Sequence, residues 1–316
     1  MGVRWIAILL LYGAIATSLG HVDFHLRSYP ERGFTEIVPA VINGTEFPPG
    51  RYRVLGPYAY EGLRRTTGLA PATAWVLFRW LCLFGGLLAM HWLLRAWFDD
   101  RTAVLGAIAA AALLPLTFTN SWAHPDHLLE WGLFALAMAC LAHDRFALFV
   151  PALALCALNR ETSVFLLPLA LGARPLSRRL LIQGGIAAAI WALIYVLLRV
   201  WKGAAWYDPW NVSMNLTNLG LLGENYDFYY RRYAWFFVVL ALPGFAAAAS
   251  AWARLPRLLR TSAAIVAPLL IAVGFLFSSV IESRIFTPLL PLMIPVIAFA
   301  LGNGPEPRRE SHKVAK

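Results

Sequence analysis

Residues 146–172 read FALFVPALALCALNRETSVFLLPLALG, two apolar runs on either side of the tetrad Asn159-Arg160-Glu161-Thr162. A bilayer core about 30 Å thick takes about 20 apolar residues per helix, and the runs 146–158 and 162–172 hold only about 12 each. The stretch is therefore either one long helix with a charged middle or a hairpin of half-helices with the tetrad at its tip. The choice sets the direction of every later segment. Further apolar windows lie at approximately 3–20, 74–98, 102–122, 128–142, 180–200, 233–253, 261–281 and 285–301, which makes ten segments in all. With a hairpin and a cytoplasmic N-terminus, the inside loops carry Arg101, Arg145, Arg174/Arg178/Arg179 and Arg254/Arg257/Arg260, followed by a tail with Arg308, Arg309, Lys313 and Lys316. Every short inside loop is then basic, as the positive-inside rule requires, whereas one long helix would export Arg178 and Arg179. The hairpin is the expectation.

Composition agrees with a lipid environment. The 316 residues are 59% hydrophobic and 14% charged, too little polar surface to coat a globule in water. The fold class expected is all-α, a polytopic transmembrane helical bundle forming a single domain over 1–301. Two long extracytoplasmic loops, 21–73 and 201–232, and a disordered cytoplasmic tail, 302–316, complete it. Residues 1–20 have signal-peptide character and are read as an uncleaved signal anchor. Trp75, Trp122, Trp201 and Trp206 are expected at the outer interface, and Trp5, Trp97 and Trp252 at the inner one. The net charge of +10 is scattered singly or in pairs between apolar windows, which argues against a nucleic-acid partner and for membrane lipids. Cys82, Cys140 and Cys156 fall inside apolar windows as packing residues. There is no internal repeat, which weakens a secondary-transporter reading. The Ala- and Arg-rich composition points to a bacterial inner (cytoplasmic) membrane, so the sequons at Asn43, Asn211 and Asn215 are given no role.

On this topology most acids fall on or near the outer side, and an ionisable group at membrane depth marks function by default. The embedded candidates are Glu130, Arg160, Glu161, Glu282 and Arg284. Arg160-Glu161 and Glu282-x-Arg284 stand at similar depth and suggest a shared polar cavity opening outward, the plainer alternative being that each Arg and Glu pair simply to tolerate burial. His21-Val22-Asp23-Phe24-His25, if extended, places both imidazoles and the carboxylate on one side. With His124-Pro125-Asp126-His127 it offers ligands for a divalent metal, though each cluster is too short to specify a site, and no cofactor is assigned. Asp126 has a second reading as an N-cap for the helix carrying Glu130. Arg51 and Arg53 face the same way if extended, and their forks suit phosphate oxygens. Tyr226-x-Phe228-Tyr229-Tyr230-Arg231-Arg232 repeats the aromatic-plus-Arg theme in the other loop.

This layout resembles the GT-C superfamily of integral membrane glycosyltransferases: one span, a long outer loop with an early acid at Asp23, Arg51-Tyr52-Arg53 before the second span, then many short-looped spans. Asn159-Arg160-Glu161-Thr162 and Glu282-Ser283-Arg284-Ile285-Phe286-Thr287-Pro288 look like motifs of bacterial membrane proteins of this type. The resemblance implies inverting transfer of a sugar from a polyprenyl-phosphate donor on the extracytoplasmic face of the cell envelope. Asp23 would be the catalytic base, with Arg51, Arg53, Asp126, Glu130, Asn159, Arg160, Glu161, Glu282 and Arg284 contacting the lipid-phosphate-linked sugar. Here Asp23 has histidine neighbours where the family often carries paired acids. A lipid or glycolipid transporter and a non-catalytic subunit of an envelope assembly are the rival readings.

Overall fold

The computed structural model describes residues 2–26, 29, 31–118, 124–205, 212–219, 236–278 and 283–302, and among these it is helical, without a strand. In chain order the helices are α1 (Gly2–Leu26), α2 (Val38–Asn43), α3 (Leu55–Thr67), α4 (Pro71–Leu94), α5 (Asp100–Leu113), α6 (Asp126–Ala142) and α7 (Phe146–Asn159). There follow α8 (Leu166–Gly172), α9 (Arg178–Lys202), α10 (Val212–Asn218), α11 (Phe236–Ala251), α12 (Arg257–Phe277) and α13 (Leu289–Leu301).

Five segments are long and apolar enough to cross a membrane: Arg4–Leu26, Pro71–Leu94, Asp100–Thr117, Arg178–Lys202 and Arg257–Phe277. Helices Phe146–Asn159, Glu161–Gly172, Ala241–Ala251 and Leu289–Leu301 are apolar but shorter, so of the ten expected segments five are long enough to span and the others, not only the two hairpin arms, are shorter helices packed among them. Pro151, Pro243 and Pro295 sit inside α7, α11 and α13, where each removes a backbone hydrogen bond. Helix starts are set locally: Asp99 and Ser177 cap α5 and α9 by accepting from the amides of Thr102 and Leu180. Loop 21–73 is also mostly helical. Within it α3 is closed by Gly68 at φ 66°, and hydrogen bonds from Arg64, then Arg65, hold the Glu61 carboxyl down at about 2.

The side-chain contacts sort the chain into two ends. At one end Trp5 of α1 meets His91 of α4, His143 after α6 reaches the Trp92 carbonyl, Thr261 of α12 meets the Gly172 carbonyl, and Phe299 of α13 packs on Trp97 and Phe98. At the other end Asp23 meets Arg79, Asn159 meets Asp126, and Asn215 of α10 donates to the carbonyls of Phe275 and Ser278. The chain turns back at Arg160, where the backbone is extended (φ −159°, ψ 150°). The open end of the resulting hairpin is closed by an ion pair between Asp144 and Arg174, and Phe146 of α7 and Ala170 of α8 line one cleft there.

The tightest crossing is between α4 and α6. A Cβ added to Gly86 would come within 2.4 Å of the Trp131 ring, and one on Gly132 within 2.9 Å of the Gly86 Cα, so only glycine permits this approach. Cys82, Cys140 and Cys156 are buried free thiols in the same interior. Helices α1 and α9 lie at the rim and expose Ile6, Leu10, Leu193 and Val200, which is how a helix faces lipid. Trp5, Trp201 and Trp252 are exposed as a belt requires, but Trp75 is buried against Tyr60 and Phe78 and is corrected to a core residue. Trp122, Trp206, most of loop 201–232 including Tyr226 to Arg232, and residues 303–316 lie outside the described residues.

Candidate functional site

The first turn of α6 places Asp126 and Glu130 four residues apart on one helix face, so two carboxylates stack where they would repel each other. The hairpin tip answers them. Arg160 donates through Nη1 to Glu130 Oε2 at 2.5 Å and sets Nε 3.4 Å from Asp126 Oδ2, bridging both acids. Thr162 donates to the other Glu130 oxygen, and Asn159 Nδ2 donates to the Asp126 carbonyl at 2.9 Å. Asp126, Glu130 and Arg160 are only 1%, 4% and 3% exposed, a depth at which an unpaired charge would cost several kcal/mol.

Arg53 extends the network outward, with Nη1 3.2 Å from Asp126 Oδ2 and Nε 3.4 Å from Glu161 Oε2. Its segment is anchored on α9: the Tyr52 hydroxyl donates to the Gly203 carbonyl and accepts from the Ala205 amide, while Lys202 Nζ donates to the carbonyls of Val41 and Ile42. Arg51 and Arg53 do not act together as expected. Residues 50–52 form a helical turn, not an extended run, and Arg51 Nε donates to the Glu46 carbonyl.

Asp23 is reached through Arg79, a residue passed over in the sequence because it stands alone in an apolar window. A lone guanidinium at that depth demands a carboxylate, and this was the available signal. Arg79 donates to Asp23 Oδ2 through Nη2 and to the His124 carbonyl through Nη1 at 3.5 Å, which joins Asp23 to the α6 end of the network. Residues 21–25 are helical, not extended. His21 and His25 therefore stack on one face with ring centroids 4.2 Å apart, and Asp23, half a turn away, points into the protein. Asp126 is not an N-cap either: Pro125 holds that position and the Asp126 side chain serves the arginines.

His124 Nδ1 lies 3.9 Å from Asp126 Oδ1. Burial, with Arg284 and Arg53 pushing the same way, holds its imidazole well below the ordinary histidine range, so it is neutral at pH 7. Arg284 is buried and close enough to act on His124, Asp126 and Glu46. Glu282 lies outside the described residues. Asp23, Asp126, Glu130 and Glu161 thus lie among Arg53, Arg79, Arg160 and Arg284. Among the described residues no three His, Cys, Asp or Glu side chains converge as a metal centre would need.

Among the described residues, three buried acceptors in this region receive no hydrogen bond from the protein: Asp126 Oδ1, Asn159 Oδ1 and Glu161 Oε1. Each is a position that a water or a ligand donor could satisfy. Glu161 also lines a small cleft with Tyr52, Ala157, Trp191, Tyr195, Leu198 and Arg199, roomy enough for about one water. Comparison with known proteins returns no matching family model, no similar curated protein and no similar solved structure.

Proposed function

We propose that this chain is a membrane-embedded, glycosyltransferase-like protein that takes a sugar from a lipid-phosphate-linked donor at the outer end of its helical bundle, in a bacterial inner membrane with both termini cytoplasmic. The observation that supports this most is the gathering of embedded acids and arginines into one network that keeps unsatisfied acceptor oxygens. The basic loops at the end that holds Arg101, Arg145 and Arg174 support the orientation.

Within this reading the base is better assigned to Asp126 than to Asp23. Both carboxylates are 1% exposed, but Asp23 is clasped by Arg79, whereas Asp126 Oδ1 receives no hydrogen bond among the described residues while Arg53 and Arg160 hold Oδ2. Asp23 then positions Arg79 against the His124 carbonyl. The test is sugar transfer in isolated membranes from a polyprenyl-phosphate-sugar donor. Asp126→Asn should abolish turnover and Asp23→Asn should weaken it; full turnover in Asp126→Asn removes the assignment. A second reading, a non-catalytic envelope subunit, is favoured by the ion pairs of Arg53, Arg79 and Arg160 with carboxylates, which occupy those arginines before a phosphate could. No transfer by the wild-type chain, with normal assembly in cells, would select it.

A further inference from the structure

The last turn of α1 carries two imidazoles that the protein itself leaves unused. His21 and His25 are both exposed and stand one helical turn apart on the same face, with ring centroids 4.2 Å from each other. His91 is held by the Tyr12 hydroxyl, His143 by the Trp92 carbonyl and His127 by the His124 carbonyl, whereas among the described residues neither His21 nor His25 makes a hydrogen bond or an ion pair. The pair is oriented from behind. Asp23 lies nearly opposite both histidines on the helix, and its clasp with Arg79 sets the rotation of this turn, so the two rings face outward.

Two histidines four apart on one helix face can share a metal ion, each giving it one ring nitrogen. With a metal–nitrogen bond of about 2.1 Å, two imidazoles on one ion stand with their centroids about 4.5–5 Å apart, so from 4.2 Å a small side-chain rotation reaches that geometry. We propose that His21 and His25 together bind one divalent ion of the zinc class at the end of α1. Imidazole nitrogen suits zinc, copper and nickel, whereas magnesium and calcium take oxygen ligands, which this pair does not offer. Two protein ligands leave the remaining coordination positions to water, so the site is open and its metal exchangeable, unlike a closed structural centre. The bound ion ties residue 21 to residue 25 and closes the helical turn from which Asp23 reaches Arg79. The inference does not rest on sugar transfer.

The test uses the full chain in mild detergent, purified without a polyhistidine tag, stripped with a chelator and titrated calorimetrically with Zn2+ and, separately, with Mg2+. Wild type should take up one Zn2+ per chain and show no heat of binding with Mg2+. His21→Ala should weaken Zn2+ binding by about tenfold or more, since one of the two ligands is gone. Exchanging two neighbours, His25→Leu with Leu26→His, keeps both imidazoles on exposed positions but turns one of them about 100° around the helix, and it should weaken binding as much. No Zn2+ uptake by the wild-type chain, or full affinity in His21→Ala or in the exchanged chain, would each overturn the proposal. Should a variant fail to assemble, electron paramagnetic resonance of the wild-type chain with Cu2+ decides: coupling to two imidazole nitrogens supports the pair, and coupling to one or none refutes it. Loss of sugar transfer with Zn2+ binding intact would count against the enzyme reading and leave this site standing.

Discussion

Replacing Arg160 by methionine removes the one side chain that touches both stacked acids of α6. Its contacts, 2.5 Å to Glu130 and 3.4 Å to Asp126, each correspond to about 5–7 kcal/mol of gross attraction at an effective dielectric of about 20. Most of that gross term offsets the desolvation of the groups, so the net loss is smaller. What the substitution leaves behind is Glu130 with the Thr162 hydroxyl as a donor and Asp126 with Arg53 at 3.2 Å and the nearby Arg284, both acids buried. A buried pair broken from one side typically costs about 3–5 kcal/mol, and that is the expected destabilisation of Arg160→Met. Adding Glu130→Gln removes the stranded charge and should restore more than half of the loss. Equilibrium unfolding in mixed micelles, followed by tryptophan fluorescence, measures both. Arg32→Met, which breaks the exposed pair with Glu36, serves as the reference at about 1 kcal/mol or less. If Arg160→Met costs no more than this reference, or if the double variant is worse than the single, the network is not the buried, mutually dependent unit described here.

Three further outcomes follow from other parts of the structure. Gly86→Ala should destabilise the α4–α6 crossing by about 1–3 kcal/mol in a thermal melt, because its Cβ meets Trp131 at 2.4 Å, whereas Gly85→Ala, with nothing within 4 Å, should be neutral or better. His124 stays neutral in the folded chain but gains a proton at about 6.5 when unfolded, so stability should fall as pH drops below that value, by about 1.4 kcal/mol per unit. His124→Asn should flatten that slope in unfolding measured from pH 7 to 5. Asp144, at φ 61°, should accept glycine at the backbone but lose the tie to Arg174; a charge-swapped Asp144→Arg, Arg174→Asp pair should restore the tie without the backbone ease, ending less stable than wild type in the same melt.

The helical bundle was legible because apolar windows need no tertiary information: each is a run long enough to exclude water. The break at Arg160 was legible too, since a charged tetrad between two short runs and the basic loops that follow both speak to it. What the windows could not show is where each helix stops, because a single extended residue such as Arg160 or Ser278 ends one without changing the hydropathy around it. The site was partly legible. Asp126, Glu130, Asn159, Arg160 and Glu161 were picked out by depth, but their pairing joins residues 30 or more positions apart, which no local pattern encodes. The errors near Asp23 have one cause. Extended geometry was assumed past Gly20, yet nothing between Gly20 and Leu26 interrupts a helix, so α1 continues and turns Asp23 toward Arg79. The same assumption misaligned Arg51 and Arg53.

The hairpin also constrains how the protein can be made. Its charged tip is sheltered on one side by α6, already synthesised when the tetrad emerges, and on the other by α9, which begins only after residue 177. Neither arm alone is long enough to be released sideways by the translocation machinery as a stable span. Until Trp191 arrives to donate to the Ser163 hydroxyl, the nascent hairpin must wait at the headgroup layer or inside the insertion channel. A chain cut short after Gly172 should therefore be recognised as unfinished and degraded, even though Arg53, His124, Asn159 and Thr162, which partner the Asp126–Glu130–Arg160 triad, are already present in it.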